Sequence, residues 1–192
     1  GGCSGSVVSK EGLVLTNHHC ISDCAGDLSS PANDYVANGF LAARRQDEKI
    51  CPGAEASILQ SITDVTDRVK KSTANVPAVE ASTVRASEIA AIEKQACGED
   101  WRKRCEVVSL YRGGQYKLYT YDRYDDLRLA FAPEIQAAFF GGDSDNFNFP
   151  RYAYDMALIR LYREGKPVTF PDAFHLDPAG AREGELVFVS GH

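Results

Sequence analysis

Leu13-Val14-Leu15-Thr16-Asn17-His18-His19-Cys20, with the Gly1-Gly2-Cys3-Ser4-Gly5-Ser6-Val7-Val8 that leads into it, decides how this chain is read. The pattern predicts two short strands, one holding Val7 and Val8 and the other Leu13 to Leu15, joined by the turn Lys10-Glu11-Gly12. Gly12 is free to take the positive φ that such a turn uses. The second strand runs straight into two histidines and a cysteine. An imidazole at a strand end has a plain chemical use. It titrates near neutral pH, so it can take a proton from a hydroxyl and return it to a leaving amine. Read from these residues alone, the pair can equally be packing or surface histidines.

The second stretch that carries chemistry is Tyr154-Asp155-Met156-Ala157-Leu158-Ile159-Arg160-Leu161-Tyr162. Apolar residues fall on both faces, which predicts a strand buried in a barrel or sandwich. Asp155 stands where the buried run begins, and a carboxylate there is costly unless it is paired. The bland alternative is a turn residue flanking the strand. Together the two stretches resemble trypsin-like serine peptidases. That group sets a histidine directly before a cysteine and, later in the chain, an aspartate at an Asp-(Ile/Met)-Ala-Leu strand start. The resemblance implies His19 as general base, Asp155 as the carboxylate that orients it through Nδ1–H, and a disulfide between Cys3 and Cys20, 17 positions apart. Ser6 is similar to the serine of that group's Cys-Gly-Gly-Ser. Ser4 sits in a Gly-x-Ser-Gly but precedes the histidine inside the disulfide motif, and is read as structural.

His19 and Asp155 are 136 positions apart, far beyond what a plain barrel needs. The excess includes Phe139-Phe140-Gly141-Gly142-Asp143-Ser144-Asp145-Asn146-Phe147-Asn148-Phe149-Pro150-Arg151. With Gly-Cys-Ser-Gly-Ser, Leu-Thr-Asn-His-His-Cys, Asp64-Val65-Thr66-Asp67 and Val-Phe-Val-Ser-Gly-His, this run resembles serine peptidase family 46, the bacterial dipeptidyl-peptidase 7 and dipeptidyl-peptidase 11 type. The likeness extends over essentially the whole chain. It implies a mainly β chain with a helical excursion (α+β): the first barrel of a chymotrypsin-like double β-barrel. It further implies a serine dipeptidyl aminopeptidase that cuts after the second residue of peptides with a free N-terminus. Asn146 matches a position that helps hold the substrate's α-amino group. Its neighbour Phe147 stands where family members often carry tryptophan. A periplasmic or cell-surface location and a homodimeric parent are further expectations. The chain begins inside a motif and its only methionine is Met156. On this reading residues 1–192 are the N-terminal part of the catalytic domain, and the nucleophilic serine lies beyond His192.

Composition bounds the rest. Hydrophobic content of 44% and charged content of 25% are ordinary for a globular chain of 192 residues. A net charge of −6 and the lack of a basic cluster argue against nucleic acid. No apolar run approaches a membrane span. The six cysteines suit disulfides in an oxidising compartment. Cys97 and Cys105 flank a short loop and can pair, which leaves Cys24 for Cys51. Zinc is the alternative, through His18, His19, Cys20 and Cys24, but that cluster lacks a second, well-spaced ligand pair. Neither a metal nor another cofactor is expected.

Between the two motifs, residues 21–46 read as loop-rich, with 34–45 extended or briefly helical. Residues 54–62 read as a strand, and a paired-helix excursion follows at about 63–97, most helical over 83–96. Residues 106–112 and 115–122 make a hairpin about Gly113-Gly114. Its tyrosines at 111, 116, 119, 121 and 124 read as cross-strand packing rather than a single-strand nucleic-acid platform. Leu127 to Phe131 reads as a strand, Pro133 to Phe140 as a short helix, and Leu186 to Val189 as a strand. Two other functions stand beside the peptidase. One is an inactive trypsin-like homologue acting as a binding module, marked by a substituted downstream serine. The other is a zinc or aromatic binding domain.

Overall fold

The fold begins with a turn that the sequence builds from two side groups. The Ser9 hydroxyl accepts from the N–H groups of Glu11 and Leu13, at 3.3 and 3.1 Å. Gly12 takes φ 72°, where a Cβ would meet the Val168 and Leu161 carbonyl oxygens at 2.9 and 3.0 Å. This computed structural model describes residues 2–139 and 152–188. In chain order its strands and helices are β1 (Gly5–Val7), β2 (Leu13–Thr16), α1 (Ser22–Leu28), α2 (Tyr35–Asn38), β3 (Phe40–Leu41), β4 (Lys49–Ile50) and β5 (Ala56–Asp64). There follow α3 (Thr66–Thr73), α4 (Ala81–Cys97), β6 (Lys103–Leu110), β7 (Gln115–Tyr124), β8 (Asp126–Ala132), α5 (Ile135–Phe139), β9 (Ala157–Arg163) and β10 (Lys166–Pro167). The fold is α+β and dominated by antiparallel sheets, in keeping with the expected class.

The chain forms two compact units. The first combines Gly1–Ala54 with Asp125–His192. Its antiparallel sheet has the order β1-β2-β9-β8-β3, with β10 on β9 and β4 on β8. Leu127 faces Leu161, and Leu129 faces Ile159, across the β8–β9 pair. All four are buried, and together with Val14 they form this unit's core. Each such side chain contributes roughly 1.5–3 kcal/mol by leaving water. The other side of the same strands is polar yet largely closed to solvent. Arg160 Nε meets Glu48 Oε1 at 2.8 Å, and the side chains are only 13% and 3% exposed. The Tyr162 hydroxyl donates to Glu48 Oε2 at 2.7 Å. Burial and the Glu48 carboxylate push the Tyr162 phenol up to about 12. Cys24 and Cys51 are joined, tying α1 to the residue after β4.

The second unit, Glu55–Tyr124, is inserted in the chain between β4 and β8. It is larger than the helical excursion expected at about 63–97. A three-stranded sheet of order β5-β7-β6 belongs to it as well as α3 and α4. The helices need that sheet. Val69 of α3 and Ile92 of α4 bury themselves against Tyr116 and Leu118 of β7. Arg68 binds α3 to α4 through Glu88 and Gln95. Cys97 and Cys105 are joined and close the short loop from α4 to β6. The hairpin forms as expected, but β6 stops at Leu110, because Tyr111 and Arg112 take positive φ in its turn. Of the tyrosines, Tyr116 and Tyr124 are buried, while Tyr119 and Tyr121 stack with ring centroids 6.3 Å apart.

Three expectations change. Leu186 to Phe188 form no strand and are exposed, because no neighbouring strand among the described residues takes up their backbone groups; Val189 lies outside those residues. The helix expected at Pro133 starts at Ile135. Strand β9 starts at Ala157, two residues after Asp155. Among the described residues, no helix is long and apolar enough to cross a membrane.

Candidate active site

Antiparallel pairing of β2 with β9 sets Thr16 opposite Ala157. The residues that follow Thr16 and those that precede Ala157 therefore emerge at the same end of the sheet. The chain after β2 tightens into a single 3-10 turn, His18–Cys20, with Asn17 before it. The Cys3–Cys20 disulfide pins that turn to the chain ahead of β1, with Cα atoms 6.0 Å apart. Thr16 adds a second tie by donating from Oγ1 to the Ser4 carbonyl at 2.9 Å.

Asp155 is the hub of this end. Its side chain is 5% exposed, so its charge must be met by donors. The His19 N–H donates to Oδ1 at 3.1 Å, and the Asn17 amide to Oδ2 at 3.3 Å and to the Asp155 carbonyl at 3.0 Å. The His19 ring lies with Nδ1 2.8 Å from Oδ2. A carboxylate only accepts, so Nδ1 carries the proton, and in the neutral ring Nε2 is the nitrogen with the lone pair. The His19 side chain is 56% exposed and borders a cleft of about 590 Å³ that Ser4, Ser6 and Met156 also line. An oriented imidazole with a free Nε2 at the rim of a cleft is what general base catalysis requires.

Of the residues singled out in the sequence, the structure brings His19, Asp155, Cys3 and Cys20 together at this one place. Asn146 and Phe147 lie outside the described residues. Cys20 and Cys24, weighed as metal ligands, are each committed to a disulfide. So are both sulfurs of the one His/Cys grouping among the described residues, Cys3, His19 and Cys20. His18 turns away from the cleft and is 2% exposed. Burial holds its imidazole below the ordinary histidine value, against an opposing pull from Asp155. Sequence reading missed Asn17. A polar residue beside a histidine pair is common, and its reach to Asp155 becomes visible only once β2 and β9 are in register.

A family model described as Peptidase S46 matches residues 1–192. The chain belongs to the peptidase S46 family. It is 33% identical, over 204 residues, to an Asp/Glu-specific dipeptidyl-peptidase of Capnocytophaga gingivalis; the match covers 100% of this chain and 28% of that one. It is also 33% identical over 162 residues to dipeptidyl-peptidase 7 of Porphyromonas gingivalis, covering 84% of this chain and 23% of that one. The crystal structure of Porphyromonas endodontalis DPP11 in complex with substrate superposes with a TM-score of 0.84 at 30% identity, over 95% of this chain and 29% of that chain. This peptidase S46 chain thus spans less than a third of the length of these relatives.

Proposed function

We propose that these residues form the N-terminal part of a serine dipeptidyl aminopeptidase, with His19 as general base and Asp155 as the group that orients it. The observation that carries this reading is the 2.8 Å contact between Nδ1 and a buried carboxylate, which leaves Nε2 open on a cleft. A hydroxyl placed at Nε2 would lose its proton to the ring as it attacks a peptide carbonyl. The same proton would then pass to the leaving amine, and Asp155 would stabilise the imidazolium in between. The attacking serine lies outside these 192 residues, in keeping with the short share of the relatives that the chain spans. Asn146 anchors the substrate's α-ammonium and Phe147 borders it, so that the scissile bond is set two residues from the N-terminus. Three disulfides support a periplasmic or cell-surface location.

Steady-state kinetics of the full-length enzyme on dipeptidyl reporters with free and acetylated N-termini tests the proposal. Cleavage of the free substrate, lost in His19→Ala, is expected. Asn146→Ala should raise KM for free N-termini and narrow the gap to the blocked substrate. Turnover that survives His19→Ala would overturn the assignment.

A further inference from the structure

Asn17 stands where an asparagine ordinarily works locally. It precedes the 3-10 turn His18–Cys20 with extended backbone, φ −81° and ψ 151°. From that place an Asn side chain commonly accepts from the free N–H groups of the turn it opens. Here it makes no such bond. The turn closes by its own backbone instead, with the Ile21 N–H donating to the His18 carbonyl at 2.9 Å. The Asn17 amide reaches across to Asp155, where Nδ2 lies 3.0 Å from the main-chain carbonyl oxygen and 3.3 Å from carboxylate Oδ2. Both oxygens only accept, so it is the NH2 end of the amide that faces them.

The backbone around Asp155 gives this reach a purpose. The β2–β9 ladder ends at the pair Thr16 and Ala157. Just beyond it the chain makes a three-residue turn centred on Asp155, in which the Met156 N–H donates to the Tyr154 carbonyl at 2.8 Å. The Asp155 carbonyl lies past the last paired residues of the ladder, and the Asn17 side chain donates to it there. Oδ2, the second oxygen that Asn17 meets, is also the one 2.8 Å from His19 Nδ1. One amide therefore grips Asp155 at its main chain and at the oxygen that faces the ring. Two fixed points on one residue oppose rotation of the carboxylate away from His19. The second of them also offsets part of the cost of holding a charge on a side chain that is 5% exposed.

We propose that Asn17 is a positioning residue of the dyad: by donating to the carbonyl and to Oδ2 of Asp155 it sets the carboxylate that orients His19, and it acts on turnover only through Asp155. The inference rests on the proposed peptidase function, and one of its tests does not. Two other roles are open to a residue in this place. Asn17 also lines the cleft, so it could touch substrate, and it precedes a turn, so it could cap it. A double-mutant cycle in the full-length enzyme separates the three. Asn17→Ala should lower kcat by about 10- to 100-fold with KM little changed, as misplacement of a catalytic group does. In an Asp155→Ala background, assayed at high enzyme concentration, the same substitution should change kcat by less than about twofold, because no carboxylate is left to place. Asn17→Ser keeps a side chain that caps turns but is one bond shorter, and it should be as slow as Asn17→Ala. The second test is thermal. The loss of Tm caused by Asn17→Ala should be smaller in the Asp155→Ala background than in wild type, since one of the two contacts has already gone. An equal kcat loss in both backgrounds, a loss carried mainly by KM, or wild-type turnover in Asn17→Ser would overturn the inference. So would equal Tm losses in the two backgrounds, even in an enzyme that proved to have no dipeptidyl-peptidase activity; that last finding would by itself remove only the proposed function.

Discussion

The Asp155 carboxylate receives His19 twice, from the backbone N–H at 3.1 Å and from ring Nδ1 at 2.8 Å, across 136 residues of chain. The two contacts divide the work. The backbone bond fixes where the turn sits, and the ring bond fixes the tautomer and the direction of Nε2. The carboxylate itself is 5% exposed, so it depends on these donors for its charge.

Asp155→Asn separates these two tasks. An amide retains an oxygen for the His19 N–H, but its NH2 favours the wrong imidazole tautomer. In the full-length enzyme kcat should fall by about 10⁴-fold. The Tm should change far less than the activity does. A loss of less than tenfold in steady-state turnover would show that Asp155 does not orient the base.

The Cys3–Cys20 bond closes a separation of 17 residues and holds the turn from below. Peptide mapping under non-reducing conditions should recover Cys3 with Cys20, Cys24 with Cys51, and Cys97 with Cys105. Replacing Cys3 and Cys20 together with serine should cost about 3 kcal/mol in denaturant unfolding. Free thiols at both positions in the native protein would contradict the pairing.

The parts of this chain legible in the sequence are those where local chemistry and tertiary structure agree. Leu13 to Leu15 and Ala157 to Tyr162 are apolar runs that end in a polar group, and the pairing of β2 with β9 brings those polar groups together. The hairpin around Gly113 was legible because its turn residues interrupt two strand-like runs. The limits of the second unit were not. Residues 56–64 are mostly exposed and carry little periodicity, so nothing local assigns β5 to the sheet that packs α3 and α4. Leu186 to Phe188 show the converse case. Their composition suits a strand, but an exposed run with no neighbour lacks the hydrogen-bond partners that a strand needs. Asn17 takes its role from a contact 138 residues away in the chain, which no local pattern reports.

Gly12 should be far less replaceable than Gly184, although both take positive φ. At Gly12 a Cβ would strike two backbone carbonyls within about 3 Å, whereas at Gly184 it would meet open space. Gly184→Ala should cost about 1 kcal/mol for the left-handed conformation alone. Gly12→Ala adds a clash that displaces the strands flanking the β1–β2 turn, and should cost about twice that or more. Equal unfolding midpoints for the two variants would show that the β1–β2 turn tolerates a Cβ there.

The Arg160–Glu48 pair should behave as a buried ion pair whose value lies in mutual compensation. Glu48 is 3% exposed and also accepts from the Tyr162 hydroxyl. Arg160 donates to the Glu11 carbonyl at 2.7 Å as well, so one guanidinium links β9, the β1–β2 turn and the chain ahead of β4. Arg160→Met strands a carboxylate in the interior and should cost about 3–5 kcal/mol. Adding Glu48→Leu removes the stranded charge and should return a large part of that loss, giving a coupling that a double-mutant cycle reads directly. Tyr162→Phe probes the third member. A phenol raised to about 12 favours its neutral form in the folded state, so its contribution is full below about pH 10 and is lost as pH rises toward 12. The alkaline decline in stability should therefore be shallower in Tyr162→Phe than in wild type. Additive single and double variants, with parallel alkaline profiles, would mean that the three side chains share a location without sharing an interaction.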